Sequence, residues 1–315
     1  MRIVFMGTPD FAVASLEAIR HAGHTIAAVV TAPDTFGGRG GKQLIQSAVK
    51  QYAVEQKLHV LQPIKLKDKN FIKELRSLNA ELHVVVAFRM LPEIVWNMPP
   101  WGTINVHGSL LPKYRGAAPI HWAVIQGEKI TGITVFKLRH VIDTGDIIKQ
   151  ESIEIGPNET TGDLSQRMKI LGAETLMKSI SLLSKGDLHL THQDDLMSCP
   201  APKLFHESGR IDFNQTSFVI HNLIRGMSPK PTAWMILHGT KYFFYRSVLT
   251  EITSTELAGS LYIDDHQLIL ATIDFNIFVR EIQLEGKRIQ SDKEFINGHW
   301  KNPIYAPVKL KGDVK

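Results

Sequence analysis

Five short apolar runs punctuate the first 140 residues: Ile3 to Met6, Thr25 to Thr31, Leu82 to Ala87, Gly102 to Val106 and Gly132 to Leu138. Nothing else in the chain limits its fold so tightly. The first three do not alternate apolar with polar, so each reads as a strand covered on both faces. Helical stretches lie between them. The first is Pro9 to Ile19, with apolar residues at 12, 13, 16 and 19, Thr8 placed to cap it and Pro9 suited to the first helical position. Strands of this kind separated by helices predict a mostly parallel sheet of the α/β, Rossmann-like class, with helices on both faces.

A different texture begins near Lys203. One helix is expected over Thr216 to Arg225. Short β-rich runs follow at Ala233 to Leu237, Lys241 to Arg246, Ser260 to Ile263, Gln267 to Thr272 and Asn276 to Gln283, separated by turns such as His238-Gly239. Their spacing predicts a small barrel or sandwich. A long helix is expected at Asn158 to Leu183, and the weakly patterned stretch after it reads as a linker. The expected division is therefore 1–186, a linker at 187–202, and a second domain at 203–315. A length of 315 residues fits two domains.

Composition adds exclusions. The single cysteine, Cys199, leaves no internal disulfide and no cysteine-based zinc cluster, which fits a reducing cytoplasm. No metal is expected. No apolar stretch approaches the roughly 20 residues of a membrane helix. The formal charge of +5 is compatible with a polyanionic partner without requiring one.

The densest polar cluster is Asn105-Val106-His107-Gly108-Ser109-Leu110-Leu111-Pro112, running on into Lys113-Tyr114-Arg115-Gly116. Asn105 and His107 are two apart at the carboxyl end of a predicted strand and so share a face. That end of an open parallel sheet is where ligands bind. An amide that donates to a developing oxyanion, beside an imidazole that moves a proton, suits acyl transfer to an amine. Alone, Asn-x-His reads equally as a capping pair. Asp143-Thr144-Gly145-Asp146, after the fifth run, reads as a turn or as the carboxylate that orients His107. The loop Asp34 to Lys42 has four glycines in nine residues and two cations, which argues against regular structure there.

Taken together, the run Asn105 to Ile120 and the later Asp143-Thr144-Gly145 resemble the folate-dependent formyltransferases. The opening Phe5 to Ala12, together with Ala201-Pro202-Lys203 through Ile211-Asp212-Phe213, is similar to the branch of that family acting on methionyl-tRNA. The resemblance spans essentially the whole chain. It implies a catalytic trio of Asn105, His107 and Asp143, and a folate-binding loop of Ser109, Leu110, Leu111 and Pro112. It also implies that Arg39 and Lys42 meet the acceptor end of the tRNA, and that the second domain is an OB-like β-barrel that binds tRNA. The implied co-substrate is 10-formyltetrahydrofolate and the implied partner is initiator methionyl-tRNA, with a monomer expected. Three places depart from the usual pattern: Phe88-Arg89 in place of Tyr-Gly, Leu138 to Ile142 before Asp143, and Pro229-Lys230-Pro231 in place of Pro-Trp-Pro.

Rival readings fare less well. The first turn, Gly7-Thr8-Pro9-Asp10, lacks the Gly-x-Gly-x-x-Gly that lets a dinucleotide approach, which argues against an oxidoreductase. A formyltransferase for a small amine would share the trio but would need neither the extra domain nor the Gly-rich loop. A non-catalytic RNA-binding protein leaves the placement of Asn105 and His107 unexplained.

Overall fold

In the computed structural model, which describes residues 1–37, 40–41 and 43–299, the apolar runs form one sheet. β1 (Arg2–Gly7) leads into α1 (Asp10–His21), then β2 (Thr25–Val30), a ribbon of β3 (Thr35–Gly37) and β4 (Gln43–Ile45), α2 (Ala48–Glu55) and β5 (Val60–Leu61). Next come α3 (Lys69–Ser77), β6 (Leu82–Val86), α4 (Glu93–Trp96), β7 (Thr103–His107) and β8 (Arg115–Gly116). After them follow α5 (Pro119–Ile125), β9 (Ile130–Lys137), β10 (Ile147–Glu154), α6 (Thr161–Lys185) and β11 (Pro200–Ala201). The main sheet runs in the order β10-β9-β7-β6-β1-β2-β5.

β1, β2, β5, β6 and β7 are parallel, whereas β9 pairs antiparallel with β7. All five residues of β6 and six of eight in β9 are buried. Apolar runs report burial on both faces, and both strand directions satisfy it. The direction of β9 was therefore invisible in its residues.

Two local expectations change. Thr8 does not cap α1; Pro9 occupies the cap position in extended conformation and makes no side-chain cap. Part of the glycine-rich loop is ordered as a ribbon, with Thr35 opposite Ile45 and Phe36 opposite Leu44. Side chains that favour strands precede the turn, Gly37 ends β3 opposite Gln43, and Gly40 and Gly41 take positive φ.

The chain forms two compact units that do not follow chain order. The first comprises residues 1–119, 131–153 and 165–201. One of its cores gathers Val4, Met6, Val30, Phe71, Leu75 and Val85 between the sheet and its helices. Residues 187–201, read from sequence as a linker, lie in this unit, where β11 pairs in parallel with β8. They cannot be pattern-free connection, because backbone pairing and Gln193 bind them to the strand-end loops.

The second unit comprises residues 120–130, 154–164 and everything from Pro202 onward. It holds α7 (Ser217–Met227), β12 (Ala233–Leu237), β13 (Thr240–Thr253), β14 (Leu261–Asp264), β15 (Gln267–Leu270), β16 (Phe275–Leu284), β17 (Gln290–Ser291) and α8 (Asp292–His299). Thr216 caps α7 by accepting from the Val219 backbone N–H. The strands form an antiparallel sheet in the order β12-β13-β16-β15-β14, with β17 on β16. Register shifts along β13 bend it, so one long strand serves where the sequence suggested a short one. Its core joins Ile220 and Ile224 of α7 to Tyr242, Phe244, Ile277 and Val279.

Candidate active site

The site is built on the last residues of β7. Asn105 pairs with Val85 on one side and Phe136 on the other, which fixes its side chain on the same face as His107. Asn105 is half-buried, and among the described residues no side-chain hydrogen bond engages its amide. An amide at a strand end with no protein partner is free to meet a ligand.

His107 is only 5% exposed. Its Nε2 lies 2.9 Å from the Tyr114 carbonyl oxygen. A carbonyl can only accept, so Nε2 carries the hydrogen and Nδ1 is the nitrogen left to handle a proton. Phe136 packs edge-on against the ring at 6.4 Å between centroids. The Asp143 Oδ2 atom stands 3.7 Å from Nδ1, within Coulombic range but beyond a direct hydrogen bond.

Asp143 is fixed from several directions. Its Oδ2 accepts from the Gly116 backbone N–H at 2.8 Å. Gln193 Nε2 donates to the backbone carbonyls of Asp143 at 2.9 Å and Gly145 at 2.7 Å. Arg115 in turn donates to the Gln193 oxygen at 2.8 and 3.1 Å. Gly145 is required, since a Cβ there would overlap the Lys137 carbonyl oxygen. Gly116 adopts φ of +128°, and a Cβ on it would sit 2.6 Å from the Ala201 carbonyl oxygen. Both glycines therefore serve close backbone approach around one carboxylate. Arg115 stood in the dense polar cluster without an assigned role, and Gln193 gave no sequence signal; Gln193 acts from 50 residues away, in the stretch read as a linker.

The segment Ser109 to Pro112 follows β7 directly. Ser109 is fully buried, Leu111 is 3% exposed, and Leu110 and Pro112 are half-buried. Thr134 on β9 braces the segment by donating to the Ser109 carbonyl at 2.6 Å and accepting from the Leu111 N–H at 3.0 Å. Gln150 on β10 donates to the Leu111 carbonyl and to Thr134, each at 2.9 Å. Asn105, His107, Asp143 and this segment thus come together in the first unit. Arg39 and Lys42 lie outside the described residues.

Two of the unusual sequence positions acquire local roles. The Arg89 guanidinium donates to the carbonyls of Ile64, at 2.9 Å, and Pro63, and it packs 5.5 Å over the Phe88 ring. It ties the loop after β6 to the loop after β5. In the second unit, His121 donates to the Lys230 carbonyl at 3.1 Å, between the two prolines.

The second unit carries an aromatic and cationic face that the sequence reading missed. The His206 ring stacks on Trp234 at 5.1 Å and meets Phe243 edge-on at 6.2 Å. Lys241 Nζ stands 4.2 Å over Trp234, and Lys203 Nζ stands 5.3 Å over the exposed Phe205 ring. Of the aromatic run 242–245, Tyr242 and Phe244 are core residues, and the Tyr245 hydroxyl donates to Gln283. Alternation along β13 sorts them, leaving Phe243 with the cationic face.

Among the described residues, no cluster of His, Cys, Asp or Glu could hold a metal ion, and no helix is long and apolar enough to cross a membrane.

Comparison with known proteins assigns the chain. A family profile described as Formyl transferase matches residues 1–180, and its C-terminal domain profile matches residues 203–300. The methionyl-tRNA formyltransferase of Parabacteroides distasonis is 44% identical over 309 residues, covering 95% of each chain. That of Flavobacterium psychrophilum is 42% identical over 304 residues, covering 95% of this chain and 96% of its own. Among solved structures, an N-formyltransferase from Helicobacter canadensis, in complex with folinic acid and dTDP-3-aminofucose, aligns with a TM-score of 0.65. It is 23% identical, covering 88% of this chain and 98% of its own. HypX from Aquifex aeolicus, in complex with tetrahydrofolic acid, aligns with a TM-score of 0.66 at 16% identity, covering all of this chain and 50% of its own. Those two likenesses speak to the fold alone. The profile matches and the close bacterial relatives carry the assignment: this chain belongs to the formyl transferase family, in the company of the methionyl-tRNA formyltransferases.

Proposed function

We infer that the protein transfers the formyl group of 10-formyltetrahydrofolate to the α-amine of methionyl-tRNA. The observation that carries this reading is the convergence of Asn105, His107 and Asp143 at the carboxyl end of β7, in a chain so similar to methionyl-tRNA formyltransferases. The formyl donor is a folate, taken against Ser109, Leu110, Leu111 and Pro112. The bracing by Thr134 and Gln150 suits a loop that must hold one shape for a ligand. Residues 1–186 supply this chemistry. Residues 203–315 supply tRNA binding with their cationic and aromatic face, and 187–202 run between them in sequence. Arg39 and Lys42 meet the acceptor end of the tRNA. The protein works in the cytoplasm as a monomer.

The amine nitrogen bonds to the formyl carbon as the bond from that carbon to N10 breaks. Asn105 donates its amide N–H to the formyl oxygen as negative charge develops there. His107 receives the proton lost by the amine at Nδ1 and returns it to N10. Asp143 acts through His107 as a positioning residue, with its carboxylate anchored on the Gly116 N–H. The rest of the rate comes from holding two substrates in register.

The decisive assay is formylation of methionyl-tRNA by the purified protein supplied with 10-formyltetrahydrofolate. Product is expected with methionyl-tRNA as acceptor and not with amino sugars. Formylation of an amino sugar with no product on methionyl-tRNA would overturn the reading.

A further inference from the structure

The stretch Lys65 to Arg76 has five cations and two acids, so it carries three of the chain's five net positive charges in twelve residues. In the first unit it opens α3. Lys69, Lys73 and Arg76 stand at i, i+4 and i+7, which puts them on one helix face, spanning roughly 10 Å at the helical rise. With Lys67 they line a groove of about 480 Å³ whose apolar wall comes from Ile72 and Ile94. The opposite side of α3 packs Phe71 and Leu75 into the core.

The nearby acids are engaged elsewhere. Asp68 caps the helix by accepting from the Asn70 and Phe71 N–H groups at 2.9 and 3.1 Å. Glu74 faces His59 at 3.3 Å. Among the described residues none of the four groove cations makes an ion pair. Local charge is therefore uncompensated along a concave strip, an arrangement that self-repulsion disfavours unless a partner uses it.

We propose that this groove receives the phosphate backbone of the methionyl-tRNA body, away from its acceptor end; the proposal rests on the reading that the acceptor is a tRNA. All four cations are exposed, so nothing encloses a small phosphorylated ligand as a nucleotide pocket would. A strip of point charges with no base-reading side chains fits a sequence-independent backbone contact. The strip also starts in a useful place. A helix that follows a parallel strand has its first turn at the carboxyl rim of the sheet, the rim that carries His107. α3 follows β5, the edge strand, which is parallel to β2, so Lys67 and Lys69 begin at that rim and the stripe leads away from it.

The test combines Lys69→Gln, Lys73→Gln and Arg76→Gln, exposed changes that keep helix propensity and remove charge. Affinity for tRNA is measured across a salt series, with far-ultraviolet circular dichroism and folate binding as controls for the fold. The variant is expected to bind tRNA several-fold more weakly. The magnitude of its log–log salt slope should fall by roughly 0.7 to 0.9 for each lost contact. The KM for methionyl-tRNA should rise while kcat at saturation stays unchanged. Lys73→Glu alone should move both readouts in the same direction. An unchanged slope and affinity in a folded variant would overturn the proposal. So would a nucleoside triphosphate that binds the native protein tightly and is lost in the variant. Failure of the native protein to formylate methionyl-tRNA would instead bring down the acceptor reading, and the two failures are read from different measurements.

Discussion

At the residue scale, two histidines of one sheet serve opposite ends. His107 is buried, with Nε2 bound to the Tyr114 carbonyl and Nδ1 facing the Asp143 carboxylate across 3.7 Å. Replacing Asn105 or His107 with alanine should lower kcat on the order of a hundredfold or more with folding intact, as loss of an oxyanion donor or proton carrier does. Single-turnover formylation measures it, and near-native turnover in His107→Ala would remove that residue from the chemistry. His83 on β6 is fully buried, and only the Val95 backbone offers its ring any support for a charge. Burial pulls its pKa down to about 4 from 6.5. The unfolded chain therefore binds a proton that the folded chain refuses. The stability associated with neutral His83 is complete above about pH 6.5 and is lost as pH falls toward 4, by roughly 3 kcal/mol. Urea denaturation of His83→Leu at pH 7.5 and 4.5 should show a shallower acid loss than the native protein, and equal losses would refute the assignment.

At the element scale, the site depends on short connections more than on its strands. The segment 109–112 has no regular structure of its own and takes its shape from Thr134 and Gln150 on neighbouring strands. Thr134→Val keeps the volume but leaves the Leu111 N–H unpaired in a buried place, a loss of about 1–3 kcal/mol. The expected kinetic signature is a raised KM for the formyl donor with kcat little changed, because the loop shifts while the trio remains. Equal effects on kcat and KM would mean that Thr134 supports the reacting groups as well. Gly145 makes the complementary case. Adding a methyl forces the Asp143-Thr144-Gly145 turn away from the Lys137 carbonyl and takes Asp143 with it. Gly145→Ala should lower kcat strongly at unchanged tRNA affinity, and retention of native kcat would show that the turn relaxes without moving the carboxylate.

At the scale of the whole molecule, the compact units are assembled from separated pieces of chain. Residues 154–164 fold with the second unit because α7 grips them. His221 Nε2 donates to the Pro157 carbonyl at 3.0 Å, and Arg225 reaches the Gly156 and Glu159 carbonyls at 3.3 and 3.4 Å. Arg246 pairs with both oxygens of Asp163 at 2.7 and 2.8 Å, and this fork holds the Asp163 carboxyl down at about 2. Residues 120–130 join them, with Ile125 packed on the α7 backbone at Gly226. A fragment of residues 203–315 alone should therefore unfold at lower temperature and less cooperatively than the second unit does in the full chain. Hydrogen exchange on both proteins tests it, and equal protection of α7 in the isolated fragment would show that the upstream pieces add nothing.

The sequence by itself determined five of the seven strands of the main sheet, the cluster from Asn105 to Pro112, the Asp143 turn and the change of texture near Lys203. Each is a local property: burial on two faces leaves an apolar run, and a ligand-facing strand end leaves a dense polar motif. Tertiary structure alone decided the direction of β9, since both directions bury the same residues. It also decided that Gln193 and Arg115 secure Asp143, and that residues 187–201 pair with β8 in the first unit. Only it could gather 120–130 and 154–164 into the second unit. These outcomes depend on hydrogen bonds between residues far apart in the chain, and no periodicity or local propensity encodes such a partner. A pattern along the chain fixes what a residue must have around it, and the fold then chooses which residues supply it.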